Sequence, residues 1–240
     1  MVESRQEPGR EANGLVLQGI KIYKSFPSGG GELEVLKGLD IFVSKGEIIA
    51  VVGESGVGKS TLLHILGGLE EPTRGRVIVD SIGLNGMSEE ETARLRNEKI
   101  GFVFQFHHLL ADFTAIENVM MPAMIHGMDY EVARSKTERL LDEVGLRDRG
   151  HHRPSQLSGG EQQRVAVVRA LINDPALVLA DEPSGNLDPK NSRILHDMIF
   201  ELRDKKGTAF VIATHNLELA VKADRICRLI DGKLVDDGGE

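Results

Sequence analysis

The sequence predicts an α/β fold: a parallel sheet core, an antiparallel β subdomain ahead of it, and an α-helical subdomain inserted into it. Three observations carry this. Short apolar runs at 47–52, 176–180 and 208–214 read as strands buried on both faces, and they alternate with helical stretches. Helix-start signals, Ser88 with Glu91 and Thr114 with Glu117, gather in the middle of the chain, and strand signals are sparse between 106 and 154. Ahead of the first buried run, residues 15–26, 33–36 and 39–43 read as strands joined by a Gly-rich loop, the pattern of an antiparallel sheet.

In chain order, residues 1–14 form a polar tail of mixed charge with no apolar core, so they are not a secretory signal. One domain then runs over 15–240. Strand 15–26 enters the loop 27–31, and Lys45-Gly46 turns the chain into strand 47–52. A helix follows over 59–66 and ends at Gly67-Gly68. Helices are predicted over 89–96, 115–126 and 131–144, with the inserted helical subdomain spanning about 106–163. Asp231-Gly232, between 226–230 and 233–236, is a two-residue hairpin signal.

Composition narrows the function. A net charge of -8, 4% aromatics and no Trp argue against a nucleic-acid partner, which needs a basic surface or stacking faces. The single Cys227 allows no internal disulfide and suits a reducing compartment. No stretch approaches the ~18 apolar residues that would cross a bilayer, so the protein is expected in the cytoplasm unless a partner holds it at a membrane.

Gly53-Glu54-Ser55-Gly56-Val57-Gly58-Lys59-Ser60 matches G-x-x-x-x-G-K-[ST] in full, between a strand and a helix. Glycines let the backbone wrap phosphate oxygens closely and present N–H groups to them. The helix that follows aims its positive end at the anion. Lys59 brings charge to the β- and γ-phosphates, Ser60 brings a hydroxyl to Mg²⁺, and Thr61 completes the candidate nucleotide-binding run. The fold is thus expected to be of the P-loop NTPase, RecA-like kind. The run 177–180 ends in Asp181-Glu182, an acid pair at a strand end. There Asp181 would hold Mg²⁺ and Glu182 would polarise the attacking water as general base.

Leu157-Ser158-Gly159-Gly160-Glu161-Gln162-Gln163-Arg164 resembles the signature motif of the ABC transporter ATPases. Ser158 can cap a helix with Glu161 at N3, a helix start that attracts an anion without a lysine. The resemblance implies that Ser158, Gly159, Gly160 and Glu161 meet the ATP bound by a second chain, in a head-to-tail homodimer. It further implies that Gln105 is the Q-loop residue that touches Mg²⁺, and that Ser184-Gly185-Asn186-Leu187-Asp188 is the D-loop at the dimer interface. His215 matches the switch histidine at γ-phosphate. Phe26 stands where an aromatic stacks on adenine, a position more often tyrosine, and Tyr23 is a poorer fit. Lys59, Glu182 and His215 are then the catalytic set, with ATP and Mg²⁺ as ligands.

Outside these motifs, residues 95–102, 105–110, 112–119, Met121-Pro122 and His152-Arg153-Pro154 resemble the ATPases of lipoprotein-releasing systems. That resemblance implies a peripheral subunit on the cytoplasmic face of the inner membrane. Its two integral membrane partners would be met near 106–118, with His107, His108, Leu109 and Phe113 as contact candidates. The departures are Ala111 for proline, Ser184 for threonine and a longer tail. The alternatives are a MacB-type efflux ATPase, usually fused to its membrane domain, and an FtsE-like cell-division regulator. A soluble ABC ATPase acting on DNA or ribosomes generally carries two cassettes or a long coiled coil, and neither is present. His107-His108 and His151-His152 complete no zinc set, because adjacent histidines point in different directions.

Overall fold

The computed structural model describes residues 14–236, so the polar tail falls outside the described residues except for Gly14. Two sheets share the interior. The larger is built from β3 (Ile48–Val52), β6 (Ile100–Val103), β7 (Leu177–Asp181), β8 (Ala209–Ala213), β9 (Arg225–Ile230) and β10 (Lys233–Asp236). Its order is β10-β9-β3-β8-β7-β6, parallel throughout except for β10 at the edge. β3 and β8 are buried at every residue, as expected of strands covered on both faces. Asp231 and Gly232 both have positive φ, the type I′ geometry that matches strand twist and closes β9 onto β10.

The smaller sheet is antiparallel, ordered β2-β1-β4-β5, from β1 (Leu15–Ser28), β2 (Gly31–Ser44), β4 (Arg74–Val79) and β5 (Ile82–Gly83). The two strands expected over 33–36 and 39–43 are one 14-residue strand. The register shifts between Ile22 and Tyr23, where β2 bends past Gly38 (φ 76), so an apparent turn is a bulge inside one strand. The β4–β5 hairpin is absent from the sequence reading, because its arginine-rich first half hides the alternation.

Helices α1 (Lys59–Leu66) and α2 (Glu89–Lys99) lie on the side of the antiparallel sheet. Leu62, Ile65, Leu66 and Leu95 pack with Ile49 and Val51 there. On the opposite face, α3 (Ala115–Ile125), α4 (Tyr130–Glu143), α5 (Gly159–Leu171) and α6 (Pro189–Lys206) share one continuous core with Ile48, Val178, Phe210 and Ile212, and α3 and α4 both contact α5. Alternate residues of one strand thus feed two cores. Helix α6 lies beyond the predicted helices; Asp188 caps it, Pro189 opens it and Gly207 (φ 67) closes it. A short α7 (Leu217–Ala220) precedes β9. The Ser88–Glu91, Thr114–Glu117 and Ser158–Glu161 pairs each close both hydrogen bonds of a capping box, at the starts of α2, α3 and α5. Among the described residues no helix is long and apolar enough to cross a membrane.

Candidate functional site

Strand order builds the site. β3, β8, β7 and β6 lie side by side and parallel, so their C-terminal ends open on one edge of the sheet. At that edge a cavity of about 460 Å³ is lined by Ser55, Gly56, Gly58, Lys59, Ser60, Thr61, Gln105, Asp181, Glu182 and His215. Val35, from β2, also lines it, and no local signal in the sequence marks that residue.

The loop from β3 to α1 has little freedom. A Cβ on Gly53 would stand 2.6 Å from the carbonyl oxygen of Leu229, and Gly58 is held at φ 110 with Val35 Cγ1 at 2.8 Å from such a carbon. Neither position admits a side chain. Gly58 also precedes α1, which has no side-chain cap, unlike α2, α3 and α5. The first-turn amides of α1 are therefore free of a side-chain acceptor beside the cavity, where the helix dipole favours an anion. Lys59 is 8% exposed, and its ammonium donates to the carbonyls of Gly53 (2.8 Å) and Glu54 (3.0 Å). The loop folds its own lysine back across its backbone.

Asp181 ends β7 in register with Ala213 of β8. Glu182 follows in the left-handed region (φ 45), a conformation that costs a non-glycine residue about 1–2 kcal/mol. It is held there by its N–H to the Ala213 carbonyl (2.9 Å) and by its own carbonyl accepting from Gly185 N–H (3.0 Å). The kink turns the carboxylate toward His215, whose Nδ1 lies 2.9 Å from Oε1 and whose backbone N–H donates to Oε2 at 3.3 Å. Such strain, maintained by flanking hydrogen bonds, concentrates at functional sites.

Ser60, Gln105 and Asp181 are among the oxygen-bearing side chains that line the cavity, with Ser55, Thr61 and Glu182. That donor set suits a hard cation such as Mg²⁺, which accepts few protein oxygens and completes its shell with water and substrate phosphate. Among the described residues no cluster of three His, Cys, Asp or Glu competes as a metal site.

Phe26 and the signature residues stand apart from this cavity. Phe26 pairs with Leu33 across the β1–β2 hairpin, with the Lys24 ammonium 5.0 Å from its ring, while Tyr23 lies under the Arg74 guanidinium. Ser158 caps α5: its N–H and hydroxyl donate to Glu161 Oε2, both at 2.8 Å, and Glu161 Oε1 meets Arg149 Nε at 3.0 Å. The Ser158 hydrogen bonds hold the Glu161 carboxyl below its ordinary range. Gly160 packs against Asn191, where a Cβ would meet Oδ1 at 2.7 Å.

The segment after Gln105 divides its side chains between inside and outside. Leu109 packs against the core, and His107 Nδ1 hydrogen-bonds the fully buried Gln163. Arg169 donates to the carbonyls of His107 (2.9 Å) and His108 (2.7 Å). The apolar groups left outside are Phe106, Leu110 and Phe113, with Phe106 67% exposed. Of the contact candidates, His108 and Phe113 are exposed and His107 and Leu109 half-buried, and Phe106 and Leu110 add exposed apolar surface beside them.

The family model described as "ABC transporter" matches residues 36–185. Over 223 residues the chain is 52% identical to the "Lipoprotein-releasing system ATP-binding protein LolD" of Bacteroides thetaiotaomicron, covering 93% of this chain and all of that one. The protein of the same name from Legionella pneumophila (strain Lens) is 48% identical over 222 residues, 92% of this chain and 98% of that one. Among solved structures, the dimeric post-hydrolysis state of the ATP-binding cassette MJ0796 bound to ADP and Pi superposes with a TM-score of 0.85. It is 35% identical and covers 92% of this chain and 97% of that one.

Proposed function

The chain belongs to the ABC transporter family as an ATP-binding, ATP-hydrolysing subunit, and we propose that it powers the release of lipoproteins from an inner membrane. The observation that carries this is likeness to the LolD proteins along nearly the whole chain, well beyond the nucleotide-binding motifs. Two copies work head to tail at the cytoplasmic face, on two integral membrane subunits of the LolC/LolE kind. The exposed Phe106, Leu110 and Phe113 meet those subunits.

In this reading the loop amides of 53–60 and the Lys59 ammonium bind the phosphates, Thr61 lies in the same cradle, and Phe26 stacks on adenine. Ser60, Gln105 and Asp181 hold Mg²⁺. The bound ion neutralises phosphate charge. Glu182 accepts the proton of the attacking water, and His215, tied to it, aligns the carboxylate and contacts the γ-phosphate. Ser158, Gly159, Gly160 and Glu161 reach the nucleotide of the partner copy, so closure is favourable only with ATP between the chains. Catalysis then rests on positioning and charge, as phosphoryl transfer requires.

The test is a pull-down of tagged Glu182→Gln protein from detergent-solubilised membranes with ATP, read by mass spectrometry. Lipoprotein-releasing membrane subunits are the expected partners. Recovery of an efflux membrane protein or a division complex in their place would overturn the cargo assignment and leave the ATPase intact.

A further inference from the structure

Gln105 is tied to a turn 81 residues further along the chain. Its side-chain Nε2 donates to Asn186 Oδ1 at 3.1 Å, and Asn186 Nδ2 donates to the backbone carbonyl of Gln105, also at 3.1 Å. This reciprocal pair has only one consistent assignment. A backbone carbonyl can only accept, so Asn186 must aim its NH₂ group there, which turns Oδ1 to the Gln105 side chain. Oδ1 in turn can only accept, so Gln105 must offer it the NH₂ group. The amide oxygen Oε1 is what remains of Gln105 for the cavity it lines with Ser60 and Asp181.

The turn beneath this pair is itself held at both ends. Gly185 N–H donates to the Glu182 carbonyl at 3.0 Å, and Leu187 N–H donates to the Ser184 carbonyl at 3.1 Å. The Ser184 hydroxyl meets the buried His196 Nε2 at 2.9 Å. A Cβ on Gly185 would come within 3.0 Å of Gln105 Nε2, so the turn's backbone closes directly on the amide.

We propose that Asn186 is a positioning residue for the magnesium site: it fixes the Gln105 amide so that oxygen, not nitrogen, is offered to the ion. The inference rests on the reading of Gln105 as an Mg²⁺ ligand. An unrestrained terminal amide rotates between two nearly equivalent orientations, and only one of them presents an oxygen to a hard cation. Asn186 removes that choice before the ion arrives. Being exposed, Asn186 can be truncated without opening the core.

The experiment titrates a fluorescent non-hydrolysable ATP analogue against the full chain, with Mg²⁺ and again in excess chelator. It uses the parent, Gln105→Ala, Asn186→Ala and the double variant, with melting temperatures as a check on folding. Asn186→Ala is expected to reduce the Mg²⁺-dependent gain in affinity by about fivefold, the size of one neutral hydrogen bond. Binding in chelator stays at the parental level, and the double variant is no weaker than Gln105→Ala alone. An equal loss in chelator, or losses that multiply in the double variant, would overturn the proposal. If Gln105→Ala keeps the full gain, the magnesium reading of Gln105 falls and the role of Asn186 falls with it. If Gln105→Ala loses the gain and Asn186→Ala keeps it, only the Asn186 inference falls.

Discussion

Asn118 holds the loop that presents Phe106, Leu110 and Phe113, and truncating it should loosen that loop measurably. The side chain is 1% exposed on α3. Its Oδ1 accepts from Leu110 N–H at 2.8 Å, and its Nδ2 donates to the carbonyls of Leu110 (3.1 Å), Phe113 (3.1 Å) and Thr114 (3.0 Å). Not all four losses count equally. The Leu110 carbonyl still accepts from Phe113 N–H, and the Thr114 carbonyl still accepts from Asn118 N–H. Leu110 N–H and the Phe113 carbonyl have no other described partner. At roughly 1–1.5 kcal/mol for each group, Asn118→Ala should cost about 2–3 kcal/mol. For a domain of this size that is a fall of roughly 5–10 °C in melting temperature. Guanidinium unfolding of Asn118→Ala and of the near-isosteric Asn118→Leu measures it. Leu keeps the packing volume, so a loss common to both variants belongs to the hydrogen bonds. A loss below about 0.5 kcal/mol in both would refute the idea that this amide holds the loop.

Further outcomes are expected at the nucleotide site, at His196 and at Cys227. Glu182→Gln should bind ATP and lose ~10²-fold or more in turnover. Lys59→Ala should weaken nucleotide binding itself, and Ser158→Ala should leave binding to a single chain intact, all read by ATPase assay and nucleotide titration. Burial, with Lys222 adding to it, lowers the pKa of His196, and Asp197 and Glu218 oppose this only in part. The unfolded chain therefore binds the proton more readily, so stability is full above the ordinary histidine pKa and falls as pH drops below it. His196→Asn should flatten that slope in unfolding curves taken from pH 7 to 5; an unchanged slope would place it on other groups. Burial and the Asp236 carboxylate push the Cys227 thiol up to about 12, so iodoacetamide should alkylate it at pH 8 only after unfolding. Rapid labelling of the folded chain would show that the thiol is accessible.

The most local features were the most legible. The cradle at 53–60 declares itself within eight residues because wrapping a phosphate needs glycine, lysine and a hydroxyl in unbroken succession. The capping boxes at Ser88, Thr114 and Ser158 were readable because their partners are three residues apart. In the sequence β2 looks like two strands, because a bulge resembles a turn when the partner strand is unknown. The half-burial of His107 and Leu109 depends on α5 and the core, which an irregular loop's own residues do not encode.

The sequence by itself determined which chemical groups this protein carries and the local backbone that presents them, since those rest on interactions a few residues long. Tertiary structure alone decided how the groups meet. Strand β3 is hydrogen-bonded to β8 and β9, far along the chain, and β8 to β7. That non-consecutive order brings Lys59, Gln105, Asp181, Glu182 and His215 to one edge. The pairing of Gln105 with Asn186 arises in the same way. Strand order is settled by the packing of two buried faces against two sets of helices and strands, a balance distributed over the whole core and written in no single segment.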